Sequence, residues 1–121
     1  MEARAVAKYI RMSPRKARKV VDLIRGKSVN EAITTLHFIT QRASTPVEKI
    51  LRSAAANAVN KEEGAKLNPD DLVIKSICVD QGPSMKRYNP GPMGRASLIR
   101  KRSCHITVVV TDQKKQNKAK V

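Results

Sequence analysis

Apolar positions along the chain first alternate, then recur at helical spacing, then alternate again. Over residues 2–11, Ala3, Ala5, Ala7 and Tyr9 fall on one face and Arg4, Val6, Lys8 and Ile10 on the other, which predicts a strand. Ser13-Pro14 then reads as an N-cap followed by proline at the first helical position. Ala17, Val20, Val21 and Ile24 recur at helical spacing, and Gly26 is a natural stop. The outer face of this helix carries Arg15, Lys16, Arg18 and Lys19, pointing to solvent or to phosphate. Ser28-Val29-Asn30-Glu31 fits a capping box and predicts a short helix with Ala32, Ile33 and Leu36 inward. A third helix is expected over 42–62, with a second capping box at Thr45-Pro46-Val47-Glu48 and Gly64 as its end. Its wide apolar face of Val47, Ile50, Leu51, Ala54, Ala55, Ala58 and Val59 is rich in alanine, which allows close packing.

Residues 72–80 and 104–112 are rich in Val, Ile and Thr, as strands are. The order β-ααα-ββ implies an α+β fold: a small antiparallel sheet packed against three helices. The two late strands are joined by an unusually long connection, and a compact domain seldom carries one without a use. We expect it to form an extended β-hairpin over 80–105, with Pro90-Gly91-Pro92-Met93-Gly94 as its tip. Two limbs of about 11 residues would project roughly 30–35 Å. A disordered basic loop is the alternative. One domain is expected over 1–112, followed by a disordered basic tail at 113–121, where no apolar periodicity remains.

Charge sharpens this picture. Lys and Arg total 25 against 10 Asp and Glu, a net charge of +15, which points to a nucleic-acid partner. The cations cluster: nine lie in residues 1–30 and six in 82–111, where no acid stands. That asymmetry favours a defined binding face. With Tyr9, Phe38 and Tyr88 as the aromatic side chains and no Trp, the chain cannot build a platform that reads bases by stacking. Phosphate and shape are then the means of recognition.

Catalysis and cofactors find little to work with. His37 and His105 are the two histidines, and no spacing assembles a triad or a carboxylate pair. Gly26-Lys27-Ser28 resembles the end of a P-loop, but Val21 stands where that loop needs its first glycine. Cys104 and His105 adjoin in a strand and point to opposite faces, so they cannot share a metal ion. No metal and no cofactor are expected. Cys78 and Cys104 read as reduced thiols packed in strands of a cytoplasmic protein. No apolar run is long enough to cross a membrane, and the start lacks the apolar block of a signal peptide.

Three segments carry a family resemblance. KYIRMSPRKARKVVDLIRGKSVNEA, EKILRSAAANAVN and VDQGPSMKRYNPGPMGRASLIRKRSCHITVVV together cover nearly the whole chain. In them the chain resembles the bacterial form of the large ribosomal subunit protein twenty-two family. The resemblance implies a non-catalytic constituent of the cytoplasmic ribosome that binds large-subunit (23S-type) rRNA and supports assembly. It also implies a hairpin lining the polypeptide exit tunnel. By position, Ser13, Pro14, Arg15 and Lys16 match the family's RNA-facing stretch, and Lys86, Arg87, Gly94, Arg95, Lys101, Arg102 and His105 match its hairpin pattern. Arg4, Lys8, Arg11 and Arg100 are expected to join them. Tyr88, Asn89, Pro90, Gly91, Pro92, Met93 and Gly94 would form the tunnel-facing tip. Here the chain departs from the family, placing Gly91-Pro92-Met93 where an Arg and a small residue are usual. Implied partners are rRNA, neighbouring ribosomal proteins and the nascent polypeptide, with no membrane and no second copy of the chain. An architectural DNA-binding protein is the competing reading, since such proteins also pair basicity with proline-bearing β-arms. They work as obligate dimers, whereas the apolar faces here suffice for one monomeric core.

Overall fold

The last strand organises the fold. Cys104–Asp112 alternates inward and outward, and Cys104, Ile106, Val108 and Val110 are fully buried. The computed structural model describes residues 2–61 and 69–112. Its elements are β1 (Glu2–Ile10), α1 (Pro14–Ile24), α2 (Val29–Phe38), α3 (Ser44–Lys61), β2 (Leu72–Gln81), β3 (Met85–Pro90), β4 (Ala96–Lys101) and β5 (Cys104–Asp112). A single 3-10 turn at Pro69–Asp71 leads into β2. The expected helix stop at Gly64 and the expected tail from 113 lie outside the described residues.

Strands β1, β5 and β2 form one antiparallel sheet with β5 in the middle. Residues directly opposite share a face, so Ala5, Val108 and Ile77 line up across it, as do Ala3, Val110 and Ile74. All six are buried, while Arg4, Cys78 and Ser76 look outward. Helix α3 lies against β1 and β5, α1 lies against β2, and α2 packs on α3. Ala17, Val20, Val21 and Ile24 of α1 are wholly buried, as their spacing predicts. Ala54 and Ala58 of α3 are wholly buried, and their small side chains allow the close packing expected of this face.

Several expectations are corrected. The alternation in β1 breaks at its end. Between Ala7 and Ile10 the strand advances three residues while β5 moves two, from Ile106 to Cys104. This bulge turns Ile10 toward the core and leaves Tyr9 exposed, the reverse of the simple alternation. Tyr9 adopts φ +59, a left-handed conformation unusual for a side chain of its size. A second bulge in β2 loops out Lys75, whose ammonium pairs with the Glu2 carboxylate. Helix α3 starts before Thr45, because the Ala43 carbonyl already accepts the first helical bond, from the Val47 N–H (3.3 Å). Cys104 is packed as expected, but Cys78 is exposed.

Both sheet edges are closed by side chains. Along β2, Arg18 donates through Nε and Nη2 to the Val79 carbonyl (3.3 and 3.0 Å), and Arg25 donates to the Ile77 carbonyl (2.8 Å). Along β1, Asn57 and Lys61 of α3 donate to the carbonyls of Arg4 (3.1 Å) and Glu2 (2.8 Å). These bonds satisfy edge groups that would otherwise pair with another chain. Arg18 is therefore structural and not one of the free cations its helical position suggested.

Two outcomes follow from this packing. Arg18→Ala lowers stability by about 1–2 kcal/mol in urea unfolding, while Arg15→Ala, which makes no such bond, stays within about 0.5 kcal/mol. Burial pushes the Cys104 thiol up from its ordinary value, more than the neighbouring Arg18 guanidinium draws it down. At neutral pH a thiol reagent therefore labels Cys78 in the native protein and reaches Cys104 after unfolding. Rapid labelling of both native thiols contradicts this packing.

Candidate nucleic-acid interface

Helix α1 carries its charges where helix stability disfavours them. Its first turn is Pro14-Arg15-Lys16-Ala17, with no acidic residue, at the positive end of the helix dipole. Ser13 sits at the N-cap in extended conformation, but its hydroxyl makes no capping bond. Unused N–H groups and cations thus add their positive potentials at one place, which an anion relieves.

Two further segments converge there. The α2–α3 loop is shaped by its own bonds: the Ile39 N–H donates to the Thr35 carbonyl (3.2 Å), and the Ser44 hydroxyl donates to the Gln41 carbonyl (2.8 Å). This presents Gln41 and Arg42 beside α1. The end of β4 brings Arg100, Lys101 and Arg102, and Arg11 donates to the Arg102 carbonyl (3.1 Å) across the gap. The result is a cleft of about 730 Å³ whose lining includes Arg11, Lys16, Lys19, Arg42, Arg100, Lys101 and Arg102. No acidic side chain lines it. The ion pairs among the described residues, Asp22–Arg25, Glu48–Arg52 and Glu2–Lys75, involve none of these seven cations.

From the cleft the chain continues into a two-stranded ribbon, β3 paired with β4. Its ladder runs in register from Met85↔Lys101 to Pro90↔Ala96, six pairs and not the expected eleven per limb. The shortfall is at both ends: the turn takes residues 91–95, and at the base Pro83 has no N–H to give. There the Gly82 N–H donates to the Ser103 carbonyl (2.9 Å), and the Ser103 hydroxyl donates to the Pro83 carbonyl (2.6 Å). His105 accepts at Nδ1 from the Tyr9 N–H (3.0 Å), and the two rings meet edge-on at 5.0 Å. The β1 bulge and the ribbon base are thus tied together. At the other end a five-residue turn, Gly91 to Arg95, closes with the Gly91 N–H donating to the Arg95 carbonyl (2.5 Å). Met93, at φ +59 and 98% exposed, stands at the apex. Every residue of β3 and β4 is exposed.

The expected site residues thus fall into groups. Arg11, Ser13, Lys16, Arg100, Lys101 and Arg102 meet in the cleft. Lys86 and Arg87 lie on the ribbon, and Arg95 closes its turn. Arg4 and Lys8 are exposed on β1, and Arg15 is exposed on α1, all outside the cleft. Pro14 is buried as the first residue of α1, and His105 is committed to the junction. Of the expected tip, Tyr88, Asn89 and Pro90 belong to β3, and Gly91, Pro92, Met93 and Gly94 make the turn. Lys19, expected on the outer face of α1, also lines the cleft, and Arg42 joins it without having been singled out. For Arg42 the available signal is a loop cation with no acid within four residues on either side.

Known proteins carry the same pattern. The family described as ribosomal protein L22p/L17e matches residues 5–111. The chain belongs to this family. Similar curated proteins, each named large ribosomal subunit protein uL22, occur in Pelotomaculum thermopropionicum (58% identical), Carboxydothermus hydrogenoformans (56%) and Desulforamulus reducens (54%). In each case the match spans 94% of this chain and 98% of the relative. The chain is accordingly a ribosomal protein of the large subunit and not an enzyme, and its place in the cell is the ribosome. Among the described residues no helix is long and apolar enough to cross a membrane.

The junction predicts a defined mutational response. A Cβ on Gly82 would lie 2.6 Å from the Ser103 hydroxyl and 3.3 Å from the His105 ring. Gly82→Ala therefore costs about 1–3 kcal/mol in denaturant unfolding. Ser103→Ala placed on top recovers part of that loss, and a double-mutant cycle measures the coupling.

Proposed function

We propose that this family member binds large-subunit rRNA through the cleft and the limbs of the ribbon, and that its turn lines the polypeptide exit tunnel. The observation that carries this reading is the cleft: seven cations from three chain segments, with no acid among its lining residues. Such a cluster raises the energy of the free protein by like-charge repulsion, and phosphates remove that cost on binding. Lys86 stands directly opposite Arg100 on the ribbon, which adds a further repulsive pair awaiting an anion. Arginines suit bidentate phosphate contacts and lysines act as point charges.

On this reading residues 1–112 act as one RNA-binding domain, and its single copy joins RNA segments during subunit assembly. The cleft holds RNA beside the globular part, while the ribbon carries Arg87 and Arg95 further along the same RNA. Gly91-Pro92-Met93-Gly94 then faces the nascent polypeptide, and neighbouring ribosomal proteins complete the partners. No observation favours the DNA-bending reading.

Salt dependence tests the cleft. Affinity for a large-subunit rRNA fragment falls linearly with salt on logarithmic axes, at a slope set by the number of phosphates neutralised. Arg42→Ala and Lys19→Ala each reduce that slope by about 0.7–0.9, one phosphate contact, whereas Lys49→Ala outside the cleft leaves it unchanged. Unchanged slopes in both cleft variants, or equal affinity for random duplex DNA, contradict the reading.

A further inference from the structure

The two faces of the ribbon are chemically different. The ladder has no bulge between Met85↔Lys101 and Pro90↔Ala96, so directly opposite residues share a face along its whole length. One face presents Lys86 and Arg100 at its base, then Tyr88 and Leu98, then Pro90 and Ala96. The other presents Met85 with Lys101, Arg87 with Ile99, and Asn89 with Ser97.

On the first face a cation pair is followed, one side-chain step outward, by an exposed ring. Tyr88 is 71% exposed and Leu98 46%, so neither is spent on the core. The step from Lys86 to Tyr88 is about 7 Å, within the reach of one nucleotide from its phosphate to its base. The Lys86–Arg100 pair is like-charged, and its side chains stand about 5 Å apart at Cβ. An anion between them turns repulsion into attraction. A base attached to that anion meets a ring and an apolar neighbour instead of water.

From this we infer that Tyr88 stacks on one unpaired nucleobase of the rRNA, with Lys86 and Arg100 holding that nucleotide's phosphate. One ring cannot read a sequence, but it suffices to hold a single base that has left its helix. The inference rests on the rRNA-binding reading and deepens it. It also moves Tyr88 from the tunnel-facing tip to the RNA-facing side of the ribbon and leaves the turn from Gly91 to Gly94 for the lumen.

The chain has two tyrosines and no tryptophan, so in a Tyr9→Phe background Tyr88 is the sole tyrosine reporter. Titrating this variant with a large-subunit rRNA fragment quenches the tyrosine emission as the ring stacks. In the otherwise natural chain, Tyr88→Phe keeps the affinity. Tyr88→Leu, which keeps apolar bulk and loses the ring, weakens it by about tenfold without changing the salt slope. If the natural chain binds with its full slope while emission stays constant and Tyr88→Leu binds equally well, the stacking is overturned and the RNA reading stands. Crosslinking of a photoreactive group at position 88 to the nascent chain, and not to rRNA, in assembled subunits also overturns it. Absence of salt-dependent binding by the natural chain overturns the RNA reading and this inference with it.

Discussion

Five residues from three separate stretches of the chain govern how the basic arm leaves the domain. The Gly82 N–H and the Ser103 carbonyl hold the two limbs together where the main sheet ends, and the Ser103 hydroxyl closes on the Pro83 carbonyl. Against them lies the His105 ring, which accepts the Tyr9 N–H presented by the β1 bulge. Space at this point is so short that a single methyl on Gly82 would collide with Ser103. The direction of the ribbon, and with it the placing of Arg100, Lys101 and Arg102 in the cleft, depends on this packing. Strain in one backbone residue, Tyr9, is the local cost of the arrangement.

Positive charge serves two ends in this chain, separated by where each side chain lands. Arg18 and Arg25 turn back to carbonyls of β2, and Lys61 turns back to β1, so these cations close sheet edges. The cleft cations have no acidic neighbour in its lining, and one of them, Lys16, stands in the first turn of a helix, where it reduces helix stability. A sequence under selection for stability alone would place acids there. The buried faces of α1 and α3 and the central β5 supply the compensating stability, which lets the surface hold an unneutralised cluster.

The ribbon extends that surface beyond what a domain of this size can offer. Its strands bury nothing of their own and are joined to each other by their ladder and to the domain by the junction. Such an element suits a partner that covers it on more than one side, as rRNA does within a subunit. Its apex carries no charge from Tyr88 to Gly94, so its chemistry there differs from that of its limbs.

Much of this was legible in the chain itself, because periodicity reports burial directly. Ala17, Val20, Val21 and Ile24, the Ser28 cap that accepts the Glu31 N–H, and the inward alternation of β5 stand where their spacing puts them. Charge clustering likewise points to an anionic partner, and motifs in family order announced the ribosomal family. Other features needed the fold. A bulge is one extra residue in one strand, visible only once its partner's register is known, so the outward turn of Tyr9 could not be read from β1 alone. Nor could the split between Arg15 and Arg18, which differ in whether a strand carbonyl lies within reach of the guanidinium. Local sequence determines which side chains an element presents. Only the packing of distant segments decided that Arg11, Lys19, Arg42 and Lys101 face one another, because their proximity arises from contacts made by other residues.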